Sequence, residues 1–391
     1  MVKTRNIEII PKLNRSKIMF QKIKFYDGKE LQEWQTFLKE LSKNNAKGIL
    51  LLVGEETPFD YKQLQPLLKT MDIEVWGGIF PEVIYNGSLY KQGVVGCAFQ
   101  SPVSIEVIKD LSKFKGNFSE DFVIKNTRTL LIFTSAYADN IPVLIETLYE
   151  KYFKETVFIG GSAGSIINID QPSLFTEDDF FAGGAIIAAV EDFISVGINH
   201  GLQPISEPAI ASSVDKNILK SINWEPAFEY YKRIVEQDAG IKLTTNSFLD
   251  LAKSYPLGIL KYDTEIILRV PISVSEEKSL LFASEMPENS VLLITKAYSD
   301  KLIAAAGTAA EQAKIAFESK KKISPGKALI VECLARALFL EDRFNDELNI
   351  IANKAGRNVF LFGLLSLGEI ASTGDKYIEL YNKTIVIGMG E

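Results

Sequence analysis

The chain has 391 residues, 47% of them hydrophobic and 24% charged, and its 43 basic against 50 acidic residues leave a net charge of −7. This length holds two or three domains with ample core, and the acidic balance argues against nucleic acid or anionic lipid as partners, since both need clustered positive charge. Two cysteines, Cys97 and Cys333, and one histidine, His200, are too few for a disulfide framework or a zinc site of about four ligands.

The opening stretch, MVKTRNIEIIPKLNRSK, is basic but lacks the ~7–15-residue apolar core of a signal peptide. It reads as a tail or edge strand. No later run reaches the ~18–20 apolar residues that span a bilayer, so the expectation is a cytoplasmic protein with no membrane insertion, metal or cofactor. Residues 30–43 follow as a helix with Leu31, Trp34, Phe37, Leu38 and Leu41 on one face.

A first unit then begins at the apolar run 48–53. It continues through a helix over 60–71, a strand at 74–78, a loop, and a strand at 93–99. A second unit repeats this grammar: strand 130–134, helix 141–153, strand and glycine loop 155–165, closing strand 182–190. Two prolines in Gln203–Pro208 and the polar stretch 212–220 mark a division, which gives halves of 1–212 and 213–391. Beyond it, 221–237 reads as an amphipathic helix with Pro226 in its first turn, and strands are expected at LGILKY, EIILRV and SLLFAS. A strand at 290–298 with the alanine-rich helix 300–317 reads as a partial further unit. The last full unit runs from strand 328–334 through helix 342–354 and strand 358–370 to strand 383–388. The predicted fold is α/β: two fused halves of mixed sheets flanked by helices, built from repeated strand–helix–strand–loop–strand units.

Within the units, Gly77–Glu82, Gly160–Ser165 and Gly363–Glu369 align as loops that place Glu82, Ser165 and Glu369 at matching positions. Such loops let backbone approach a ligand, or serve only as turns. Gly160-Gly-Ser162-Ala-Gly164 also fits the G-x-S-x-G pattern of a nucleophile elbow, with Asp170, Asp179 and His200 downstream. A serine hydrolase is therefore the alternative reading, although the segment after the pattern does not read as a helix. Arg336, three residues past Cys333, suits a ligand carboxylate, or an internal ion pair with Glu341, Asp342 or Glu369. Phosphate-loop and dinucleotide fingerprints are missing, since Ser324-Pro-Gly-Lys327 lacks the first glycine and the final hydroxyl.

The Gly160–Ser165 loop and His200-Gly201 ahead of a proline-bearing segment resemble the N-terminal half of FIST domains. Glu225-Pro-Ala-Phe-Glu-Tyr, Cys333-x-x-Arg336, Gly368-Glu-Ile370 and Asn382-Lys-Thr384 resemble the C-terminal half. The resemblance covers roughly residues 30 to 391 and implies a bacterial intracellular sensory domain for small, amino-acid-like ligands. One loop departs: the family's first glycine loop carries a cysteine, and here it is the bulkier Trp76-Gly-Gly-Ile-Phe-Pro-Glu82. With no kinase, cyclase or methyl-acceptor segment in the sequence, the implied output runs through a signalling partner such as a histidine kinase, or is absent. The expected ligand contacts are Gly160, Gly161, Ser162, Ser165, His200, Arg336 and Glu369.

Overall fold

Continuous apolar runs become strands buried on both faces, as in Gly48–Gly54 and Thr129–Ser135, where every residue is buried. A computed structural model describes residues 19–28, 30–58, 60–120, 122, 126–136, 138–153, 156–169, 171–244, 248–261, 265–282 and 284–391. The N-terminal tail expected over residues 1–17 lies outside them.

Three units share one strand order. In the first, Gly48–Gly54 runs parallel to Glu74–Phe80 and antiparallel to the closing strand Val94–Phe99, which pairs with the edge strand Phe20–Tyr26. In the second, Thr129–Ser135, Val157–Ala163, Ala185–Val190 and Val103–Ile108 take the same places. In the third they are Lys327–Cys333, Phe360–Ser366, Ile385–Gly390 and Ser195–Asn199. Each parallel crossover carries helix: Tyr61–Leu68, Ile141–Tyr152, and the pair Leu334–Leu340 and Phe344–Ala355. Asp60 starts the first of these by accepting from the Lys62 and Gln63 amides.

Between its second and closing strands, each unit throws out a hairpin that joins another unit's sheet. The first unit's hairpin, Val83–Tyr85 with Ser88–Tyr90, pairs with Phe360–Ser366 of the third. Leu174–Thr176 with Phe180–Phe181, from the second, pairs with Glu74–Phe80 of the first. Glu369–Ser372 with Glu379–Tyr381, from the third, pairs with Val157–Ala163 of the second. The exchange closes into a ring, so all three six-stranded sheets combine strands from more than one unit.

Register also equates Gly77, Gly160 and Gly363, which face Leu51, Ile132 and Ile330. A Cβ there would stand 2.1, 1.7 and 1.9 Å from those residues' carbonyl oxygens. The glycines thus lie within strands and permit close strand packing rather than forming ligand loops. The amides of Ile79, Ser162 and Leu365 donate to the carbonyls of Ser173, Gly368 and Glu82. The matching turn positions are therefore Glu82, Ser173 and Gly368, and the expected alignment of Glu82 with Ser165 and Glu369 is corrected.

A fourth, nine-stranded sheet lies between the third unit's edge strand and its remaining strands, with all its pairings antiparallel. It includes Ala209–Asp215, which crosses the expected division at 212 and pairs with Val291–Lys296. The partial further unit does not form. Val291–Lys296 belongs to this sheet, whereas the helix Ser299–Lys321 packs beside Ser195–Asn199, where Ser195 Oγ donates to Ala313 O at 2.5 Å. The helix expected over 221–237 begins only at Ala227, because 218–222 and 225–226 are strands.

Candidate functional site

A cavity of about 900 Å³ opens where the inserted sheet meets the second unit. Its buried wall includes Ser162, Ile378 and Arg269, and Leu367 and Leu380 also line it. The start of the helix Ile141–Tyr152 forms one side. This volume and mixture of apolar and polar lining are those of small-molecule sites.

Ser162 sits near the end of the strand Val157–Ala163 and pairs in register with Thr134. Its Oγ lies 2.9 Å from Thr134 Oγ1, and its amide donates to Gly368 O over 2.7 Å. Among the sequence-predicted residues, it is the one that reaches the cavity lining. No elbow forms, since 157–163 is a single strand. His200 Nδ1 accepts from the Leu202 amide, Asp179 pairs with Lys109 at 2.6 Å, and Asp170 lies outside the described residues. The arrangement required for a serine nucleophile with its base is therefore not assembled among the described residues.

Arg269 ends the strand Ile266–Arg269 and is only 9% exposed. Its Nη1 donates to the carbonyls of Leu268 (2.9 Å) and Leu380 (3.1 Å), and its Nε donates to Glu285 O (3.3 Å). No carboxylate of the described residues lies within ion-pair distance, and the nearby Glu379 is paired with Lys261 at 3.1 Å. Burial pushes the guanidinium down to about 10, with Glu379 acting the other way. Taking a charge out of water costs several kcal/mol. Neutral carbonyls offset only part of that, so a cation faces the cavity without an anionic partner among the described residues. Around the mouth stand the exposed carboxylates of Asp139, Glu146, Glu150 and Glu285, and Tyr149 stacks on Tyr377 with ring centroids 4.6 Å apart.

The other predicted residues lie elsewhere. Arg336 is fully buried, and Glu347 and Glu332 both pair with it. Nε is 2.8 Å from Glu332 Oε1, although its N–H is not aimed along that line. Further bonds run to the carbonyls of His200 (2.6 Å), Leu302 (3.1 Å) and Lys383 (3.4 Å). Burial opposes its charge, but Glu347 and Glu332 hold its pKa above the usual value. The pairings expected with Glu341, Asp342 or Glu369 are thus replaced, and the guanidinium is spent inside the third unit.

Glu369 is also fully buried. It accepts from Ser366 Oγ at 2.6 Å and from the Thr384 amide at 3.3 Å, and burial pushes its carboxyl up to about 8. The carbonyl of His200 accepts from Arg336, and burial followed by the Arg336 charge brings its imidazole down to about 4. Gly160 and Gly161 pair with Ile370 and Glu369. Ser165 donates to Glu55 Oε2 at 2.7 Å and accepts from the amides of Ile167 and Asn168, closing a turn outside the cavity.

Among the described residues, no helix is long and apolar enough to cross a membrane, and no three acidic, histidine or cysteine residues group for a metal ion. Comparison with known families matches residues 48–225 to the FIST N domain and 227–372 to the FIST C domain. The chain belongs to the FIST family of small-ligand sensory domains in signal transduction. No curated protein matches it. Sequence reasoning missed Arg269 and the Tyr149–Tyr377 pair. The available signal was an arginine closing the apolar strand EIILRV.

Proposed function

We propose that the protein is a cytoplasmic bacterial sensor that holds a small, amino-acid-like molecule in this cavity and passes its state to a signalling partner such as a histidine kinase. The observation that carries this reading is that Arg269, on the inserted sheet, bonds Leu380 on the hairpin that reaches the second unit. The same joint is crossed by Lys261–Glu379 and by Tyr381 Oη donating to Glu265 at 3.0 Å. A molecule filling the cavity would touch both sides of that joint and bias their relative placement, which is what a sensor requires. In this reading Ser162 supplies a hydroxyl contact. Gly160, Gly161 and Glu369 hold its strand against the hairpin, while His200 and Arg336 fix the third unit behind it, and Ser165 fixes the following turn.

A thermal-shift screen of amino acids and small metabolites tests this, because a molecule that binds only the folded chain raises its melting temperature. The expected result is stabilisation without turnover, abolished in Ala138→Trp, which plants an indole in the lining. Stabilisation that survives Ala138→Trp overturns the cavity assignment. Hydrolysis of an activated ester that disappears in Ser162→Ala would establish the hydrolase reading instead.

A further inference from the structure

We propose that the third unit contains a proton site: at pH 7 the buried pair Glu332 and Glu347 holds one proton, seated on Glu332, and its loss at alkaline pH releases the helix Phe344–Ala355. Strand register puts Glu332 in the place of Val53 in the first unit and of Thr134 in the second. Val53 is a fully buried apolar side chain, so the fold itself does not call for a carboxyl there.

The buried charges do not balance. Glu332, Glu347 and Arg336 are all fully buried, and both carboxyls lie within ion-pair distance of the one guanidinium. Arg336 Nη2 donates to Glu347, whereas the N–H of Nε is not aimed at Glu332, so Glu347 is the better served. Glu332 Oε1 accepts from the Cys333 amide at 3.1 Å, and Oε2 has no hydrogen-bond partner among the described residues. The other elements packed around the pair supply no second counter-ion. Glu369, from the hairpin strand, adds a further carboxyl, and the Cys333 thiol is held above its usual range. Lys383 directs Nζ at Ala335 O (2.8 Å) and over the Phe339 ring (5.0 Å to its centroid), and no carboxylate of the described residues pairs with it. His200, just past the strand Ser195–Asn199, is neutral at pH 7. The helix Ser299–Lys321 offers Arg336 a carbonyl, that of Leu302.

A second carboxylate here would be a buried charge without a counter-ion, and a carboxyl so placed neutralises instead. Keeping the proton at pH 7 needs a shift of about three units from the usual ~4.3, at the lower edge of the ~3–5 units that full burial can produce. Burial, and after it the Glu347 charge, push Glu332 in that direction, with Arg336 opposing. When the proton leaves, two like charges share one guanidinium. Glu332 lies in a strand paired on both sides, so it is held in place. Glu347 lies in a helix that packs on Ser299–Lys321 through side chains such as Ile350. The repulsion therefore falls on the helix.

Infrared spectra and hydrogen exchange of the full chain test this, in a Glu369→Gln background because Glu369 also binds a proton near neutrality. At pH 7 that background should show the carbonyl stretch of a protonated carboxyl, and adding Glu332→Gln should remove it. Between pH 7 and pH 10, exchange of 344–355, corrected for its intrinsic rate, should rise at least tenfold in the background. With Glu332→Gln added it should stay level. A carboxyl that is merely structural gives neither the band nor the pH response. Absence of the band from Glu369→Gln at pH 7 overturns the proposal, and that reading stands even where the double variant does not fold. Exchange that rises equally with Glu332→Gln present overturns the control of the helix by this proton.

Discussion

The amide of Ser162 donates to the carbonyl oxygen of Gly368 over 2.7 Å, and the amide of Leu367 returns a bond to Ser162 O at 3.1 Å. The cavity wall contributed by the second unit is thereby fastened to the turn of the third. In the matching place, Gly164 donates to Ile79 O at 2.8 Å. The third such bond has no donor, because register puts Pro81 there, and proline lacks an amide hydrogen.

Gly77, Gly160 and Gly363 should be equally intolerant of a side chain. Alanine at any of them forces a methyl group into the neighbouring strand's backbone, a clash that only strand separation relieves. Each Gly→Ala variant is expected to lose more than about 3 kcal/mol, read as a fall in the urea midpoint. A loss below about 1 kcal/mol at Gly160 would contradict the packing described.

Arg336 should behave as a structural cation. Replacing it with alanine leaves Glu332 and Glu347 buried without their partner, and the expected loss is about 3–5 kcal/mol. Glu347→Gln keeps the shape and one acceptor, so its loss should be smaller. Urea titration of both variants checks the order.

Glu369 makes stability depend on pH in a defined direction. Its carboxyl is pushed up to about 8 by burial, with Ser366, the Thr384 amide, Cys333 and Arg336 around it favouring ionisation. In the unfolded chain it titrates near 4.3. The folded state therefore holds the proton more tightly, and this contribution is full below about pH 4.3 and lost as pH rises to about 8. Relative to the native chain, Glu369→Gln should gain about 1.4 kcal/mol per pH unit across that window. Urea midpoints at pH 5, 6, 7 and 8 measure the slope, and parallel profiles would refute it.

Cys97 and Cys333 are both buried, and burial holds their thiols above the usual range. With so little thiolate, neither should react with an aromatic disulfide reagent while the chain is folded. Both should react together when urea unfolds it. Rapid labelling of Cys333 alone in buffer would show that the third unit opens locally.

Local signals carried much of the architecture. Apolar runs located the three inner strands of each unit but not the edge strands Phe20–Tyr26 and Val103–Ile108, and the first helix fell where periodicity placed it, with Trp34, Phe37, Leu38 and Leu41 on one buried face. What could not be read was partnership. SVLLITKAY has the same local pattern as a unit's opening strand, yet its neighbours at Ala209 and Leu257 place it in a different sheet. The two arginines make the same point at the site. Arg269 ends an apolar strand and Arg336 lies three residues past one, in the helix Leu334–Leu340, but the helix Phe344–Ala355 brings Glu347 to Arg336, whereas no carboxylate among the described residues pairs with Arg269. Neutralisation is decided by residues distant in sequence. Ser162, which lines the cavity, stood out in the sequence because its glycine-rich surroundings are unusual in composition as well as in pattern.

The ring of exchanged hairpins bears on how the chain is made. Val83–Tyr85 finds its partner about 280 residues later, in Phe360–Ser366, and the amide of Phe20 meets the carbonyl of Glu391 at 3.3 Å. Translation therefore leaves the first unit with an unmatched hairpin until Phe360–Ser366 is made, and the second with an unfilled sheet edge until Glu369–Ser372 is made. Such open edges invite association between nascent chains. Fragments cut between 225 and 227 should be poorly soluble when made separately, yet recover the fold when synthesised together in one cell.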